Sequence, residues 1–178
     1  MVRKQRTIKD EVSLNGVGLH SGALSLGTIG FEKRMETTVI GDTVNLASRM
    51  EGLTKQYGIN IAVTAEIIDQ LEDKEKYFFR EIDTVKVSGK NLSVTFYDLF
   101  NGDADNIKEK KIVTFDSFNE ALSLYKEQKW TEALKLFDDI KQSFEEDKIL
   151  QIYYERCKTF QEKPPAENWD GVFNLRKK

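Results

Sequence analysis

Residues 40–57, reading IGDTVNLASRMEGLTKQY, carry the one pattern in this chain that constrains both a structure and a chemistry. Leu46, Met50, Leu53 and Tyr57 recur at i, i+4, i+7 and i+11, and Ala47 joins the same stripe. That spacing predicts an amphipathic helix with one apolar face. Gly41 and Asp42 stand where N-cap residues belong, and no proline interrupts the segment. Asn45, Arg49, Gly52 and Gln56 fall well to one side of the stripe. Asn45 and Arg49 are four apart, so their side chains leave adjacent turns together. An amide beside a guanidinium just inside a helix start suits an anionic, oxygen-rich ligand. On spacing alone a solvated face is the commoner reason for such a pair, so the surrounding sequence has to decide.

Around that helix the chain alternates strand and helix patterns. Val12, Leu14, Val17 and Leu19 suggest a strand over residues 11–20, Ser21-Gly22 a turn, and residues 23–29 the returning strand of a hairpin. His20, at the hairpin's end, is read as a structural hydrogen-bonding residue. Residues 37–40 form a short strand running into the main helix, and 60–64 the next strand. Thr64 then caps a helix to about Leu71, with Glu66 in its first turn. Residues 77–87 and 94–99 read as strands joined through Ser88-Gly89-Lys90-Asn91. Such alternation implies an α/β or α+β sheet with helices packed on it.

Residues 101–111, NGDADNIKEKK, are polar and charged and read as a linker. Beyond it the period turns helical. Phe118, Ala121, Leu122 and Tyr125 make one stripe, Trp130, Ala133, Leu134 and Phe137 a second, and Ile149, Ile152, Tyr153 and Cys157 a third. The first two stripes resemble a tetratricopeptide-type helical pair, which one pair alone cannot stabilise without docking on something. Pro164 and Pro165, the chain's only prolines, end the last helix. Trp130 and Trp169 are read as packing residues.

Composition narrows the partners. A net charge of −3 over 178 residues gives no electrostatic footprint for nucleic acid or an anionic membrane. Cys157 is the only cysteine, which excludes an internal disulfide and suits a reducing, cytoplasmic setting. No apolar run approaches the length of a membrane span.

The string RMETTVIGDTVNLASRMEGLTKQYG closely resembles the second half of the catalytic domain of class III nucleotidyl cyclases, the adenylate and guanylate cyclases. GVGLHSGALSLGTIG upstream and FREIDTVKVSGKNLSVTFYDL downstream extend the resemblance over about residues 11–100. It implies an α+β fold with a partial ferredoxin-like sheet bearing extra strands, followed by a small all-α tail. The implied division is a cyclase segment over 1–100, a linker over 101–111 and a tail over 112–178. The implied reaction converts ATP to cyclic AMP and pyrophosphate at a dimer interface. One face supplies two aspartates that bind Mg or Mn, and the other supplies an asparagine and an arginine. By the resemblance these last two are Asn45, which orients the ribose, and Arg49, which contacts the reacting phosphate. Thr38 matches the base-selecting position, where a hydroxyl still serves adenine, although a β-branched strand residue needs no such role. The family's phosphate-contacting lysine is replaced here by Ser88, so Lys90 or Lys86 is the candidate substitute.

The two metal aspartates belong to the family's first half, and none of Asp10, Asp42, Asp69 and Asp83 stands in the matching context. No metal ligand is therefore assigned. The expectation is a chain inactive by itself that self-associates or pairs with a cyclase domain supplying the metal face. A helical tail ending in PPAENWDGVF also resembles segments that follow some bacterial cyclase domains. Three readings stay open: the C-terminal half of a cyclase, a non-catalytic nucleotide-binding or regulatory remnant, and a protein-binding module seated in the tail.

Overall fold

The computed structural model describes residues 16–31, 34–86, 93–166 and 168–172, with side chains described outside 28–40. Strand β1 (Val17–Leu19) leads to an antiparallel ribbon of β2 (Ser25–Phe31) and β3 (Arg34–Ile40), which runs directly into helix α1 (Asp42–Tyr57). Strand β4 (Ile61–Thr64), helix α2 (Ala65–Asp69), a 3-10 turn (Lys74–Lys76), β5 (Phe79–Lys86) and β6 (Ser93–Leu99) complete the mixed part. Four helices follow: α3 (Asp105–Val113), α4 (Phe115–Lys126), α5 (Trp130–Ser143) and α6 (Lys148–Glu162). The result is an α+β fold with a four-stranded sheet ordered β1-β4-β6-β5.

Three local expectations need correction. Residues 11–15 lie outside the described residues, and among those described the hairpin expected between 11–20 and 23–29 does not form. β1 instead pairs in parallel with β4, Val17 opposite Ile61 and Leu19 opposite Val63, while β2 pairs with β3 in a separate ribbon. No turn forms at Ser21-Gly22, and the strand before it takes a partner more than forty residues away. The polar stretch 101–111 is largely helical rather than a linker, because α3 begins at Asp105 and its Lys111 is buried. The helix predicted from Thr64 to Leu71 also stops earlier, at Asp69.

Apolar burial explains the assembly. Leu46, Met50, Leu53 and Tyr57 from α1 join Ala62, Ile82, Val85, Val94 and Phe96 from the sheet. Phe118, Tyr125, Phe137, Ile149, Tyr153 and Cys157 of the tail helices belong to the same core. β6 alternates strictly, with Val94, Phe96 and Asp98 buried and Thr95, Tyr97 and Leu99 half-exposed, as one covered face requires. In β5 the alternation breaks between Glu81 and Asp83, where a bulge turns both Ile82 and Asp83 inward. Trp169 packs edge-on to Tyr125 and against Trp130 and Phe160, closing the aromatic end of the tail.

Candidate nucleotide-contacting face

Helix α1 is positioned by two glycines, Gly18 of β1 and Gly16 just before it. A Cβ at Gly18 would stand 2.2 Å from the Glu51 amide nitrogen and 2.3 Å from the Ala47 carbonyl oxygen. One at Gly16 would meet the Thr54 hydroxyl at 1.6 Å. The helix backbone lies directly on β1, an approach open only to glycine. The helix starts at Gly41 without a side-chain cap, and Thr43 Oγ1 donates to the Ala23 carbonyl at 2.5 Å, tying that end to the preceding loop. It ends at Gly58, in the left-handed conformation at φ 70°, whose N–H donates to the Thr54 carbonyl at 2.8 Å.

With the apolar stripe buried, Asn45 is exposed and Arg49 half-exposed on the open flank. A Cβ added at Gly52 would meet nothing within 4 Å, so the flank stays clear one turn further on. The Arg49 guanidinium reaches the Lys86 carbonyl in a long contact of 3.5 Å, which sets it beside the end of β5. Lys86 is exposed, its ammonium 3.8 Å from the Asp170 carboxylate. Thr38 is opposite Gly27 in the ribbon that feeds α1, and its side chain falls outside the described residues. Lys90 and Ser88 fall outside them altogether. The structure thus brings Asn45, Arg49 and the end of β5 to one flank. His20 Nδ1 is 2.9 Å from Thr64 Oγ1.

Behind this face are charges that sequence reasoning passed over. Tyr57 donates to Asp83 Oδ2 at 2.5 Å, Arg156 Nη1 donates to the same oxygen at 2.7 Å, and Arg156 Nη2 donates to the Tyr57 hydroxyl at 2.9 Å. Burial and the Asp83 carboxylate hold the Tyr57 phenol above its ordinary range. Burial opposes the Arg156 charge, and Asp83 together with the surrounding Tyr153, Tyr57 and Tyr125 outweighs it. A second network joins Arg80 to Asp147 at 2.6 Å and to Asp98 at 3.3 Å, and Lys111 to Asp98 at 2.7 Å and Asp103 at 2.6 Å. One signal was available: Arg156 continues the Ile149, Tyr153 stripe of α6, and Arg80 keeps inward phase with Ile82.

Residues 2–100 match the adenylate and guanylate cyclase catalytic domain family. The chain belongs to that family. It is 48% identical over 85 residues to an adenylate cyclase of Anabaena cylindrica, covering 47% of this chain and 17% of that protein. It is 34% identical over 143 residues to the "Adenylate cyclase, terminal-differentiation specific" of Dictyostelium discoideum, covering 80% of this chain and 7% of that protein. The latter match takes in more than residues 1–100 hold and so includes part of the helical tail. The chain therefore spans less than a fifth of these relatives. A bacterial light-regulated adenylyl cyclase of known structure is similar over 51% of this chain and 24% of that one, at 26% identity and a TM-score of 0.40.

Cyclase domains of this family bind nucleotide, generally dimerise and are generally metal-dependent. Among the described residues, no group of three or more His, Cys, Asp or Glu side chains is arranged to hold a metal ion. The family's cation is accordingly not assigned to this chain's described residues. No helix among them is long and apolar enough to cross a membrane.

Proposed function

We propose that this chain supplies the ribose- and phosphate-contacting face of a class III adenylate cyclase site. In that reaction the ribose 3′ hydroxyl of ATP attacks the α-phosphorus. A new O–P bond forms, the bond to pyrophosphate breaks, and the hydroxyl proton is lost. Negative charge sits on the phosphorus oxygens throughout, so a fixed cation aimed at them is the chain's natural contribution. Arg49 is that cation, its planar fork able to hold two oxygens at once. Asn45, one turn nearer the helix start, orients the ribose. Thr38 faces the base, and Lys86 or Lys90 meets the outer phosphates in place of the lysine the family has where this chain has Ser88. A second copy, or another cyclase domain, supplies the face that binds Mg or Mn.

The observation that carries this reading is the open flank of α1, where Asn45 is exposed and a half-exposed Arg49 reaches the end of β5. The tail turns its apolar stripes onto the sheet and onto itself, which favours the cyclase segment over the tail as the seat of function. The test mixes this chain with a cyclase domain that keeps its metal aspartates but carries alanine at its own asparagine and arginine. Cyclic AMP formed by the mixture and by neither component supports the reading. A silent mixture, with a complex demonstrated by sedimentation, contradicts it.

A further inference from the structure

Arg49 sits between two elements, and one guanidinium from the tail grips both. Arg156 of α6 is 5% exposed. Its Nη2 donates to the hydroxyl of Tyr57, the last residue of α1 and two turns beyond Arg49. Its Nη1 donates to Asp83, three residues before the Lys86 whose carbonyl Arg49 reaches. Tyr57 and Asp83 are bonded to each other, which closes a three-membered network across α1, β5 and α6. Two further contacts act in the same sense. Lys148 Nζ donates to the Lys55 carbonyl at 2.9 Å in the last turn of α1, and the Tyr153 hydroxyl donates to the Ile82 carbonyl at 2.6 Å in β5.

A buried ion pair is a poor device for stability alone, since apolar residues of similar volume hold a core at least as well. What the planar fork adds is a fixed separation between the groups it bridges. We propose that Arg156 is a positioning residue: by setting the spacing of α1 and β5, it aims the Arg49 guanidinium at the reacting phosphate. The inference rests on the role given to Arg49 above, and it makes the helical tail part of the site's geometry. The similarity to the Dictyostelium adenylate cyclase, which continues past residue 100, shows that at least part of this tail accompanies a cyclase segment elsewhere.

The test is a cycle of variants of the full chain, each assayed with the complementing cyclase domain and Mn and checked by thermal unfolding. Asp83→Asn with Arg156→Met removes both charges together, so no buried charge is stranded. This pair is expected to fold, to leave KM for ATP nearly unchanged and to lower kcat about tenfold or more. In an Arg49→Ala background the same pair is expected to cost nothing further, because Arg156 acts through Arg49. Arg156→Lys, which keeps the charge but loses the fork, reads the effect again should the pair fail to fold, and it is expected to show the same dependence on Arg49. An equal loss in both backgrounds, or wild-type kcat in the folded variants, overturns the inference. Wild-type activity for Arg49→Ala alone overturns the site reading and the inference with it. Full activity for Arg49-dependent complementation together with a silent Arg156 series overturns only the inference.

Discussion

The two halves of α1 are built to different standards. The first turns leave Asp42, Val44, Asn45 and Ser48 exposed. From Met50 onward the helix buries Met50, Leu53, Thr54 and Tyr57, lies against Gly16 and Gly18 and ends in a closed hydrogen-bonded network. The exposed half holds the groups we propose a nucleotide meets, and the buried half anchors them. A rigid rod lets these duties separate: its rear resists displacement while its front stays open to a ligand. Substitutions should therefore divide into those that break the fold and those that remove function alone.

The largest effect is expected at the contact between β1 and α1. Gly18→Val drives a branched side chain into helix backbone and should lower stability by about 3 kcal/mol or more, measured by urea unfolding. An unchanged midpoint would mean that the helix does not lie on the strand as described. Arg156→Met alone strands the buried Asp83 carboxylate and should cost about 3–5 kcal/mol. Adding Asp83→Asn should restore much of that loss, and a pair no more stable than the single variant would remove charge stranding as the cause.

The rear half also predicts how stability responds to alkali. Burial is the first cause raising the Tyr57, Tyr125 and Tyr153 phenols above their ordinary 10.0, and it pushes the Cys157 thiol from 9.0 to about 12. Groups whose folded pKa is raised favour the fold while protonated. Their contribution is complete below pH 9, where the unfolded chain holds the same protons, and is lost as pH rises above it. Unfolding midpoints should thus be flat up to about pH 9 and fall beyond, with phenolate absorbance from the buried Tyr57, Tyr125 and Tyr153 appearing only as the chain unfolds. A midpoint that rises with alkali would contradict the buried geometry. Smallest of all is the exposed Lys86–Asp170 pair. Asp170→Asn, which keeps an oxygen for the Val172 N–H, should change stability by about 0.5 kcal/mol or less, and a larger shift would show that the tail's end braces β5.

How much of this was legible follows from the range of the interactions involved. The 3.6-residue period found the α1 stripe and the three tail stripes, because helical contacts repeat locally and Leu46, Met50, Phe118, Tyr125, Ile149 and Tyr153 all enter the core. The pairing of β5 with β6 was legible from the short connection between them, and the partner of β1 was not. Ser21-Gly22 carries a local turn signal, but β1 gains more by burying Gly18 against α1 and pairing with β4 than by folding back. The composition of 101–111 read as solvent-facing because Asp103 and Lys111 are charged, and only the fold shows that they neutralise each other beside Asp98. Asp83 was hidden by the bulge, which shifts the phase of β5 at the residue that matters. Asn45 and Arg49 were legible as a polar pair on one flank, and the surrounding cyclase-like string turned that pair into a chemical hypothesis.

Arg49→Ala, followed in one preparation by both urea unfolding and complemented cyclase activity, tests the division of α1 most directly. The side chain is half-exposed and meets the fold through one long contact, so the midpoint should stay within about 0.5 kcal/mol of the parent. Cyclic AMP formation should fall about tenfold to a hundredfold, the cost of losing a charged hydrogen bond to phosphate. Undiminished activity, or a loss of activity matched by a loss of stability, would contradict the account.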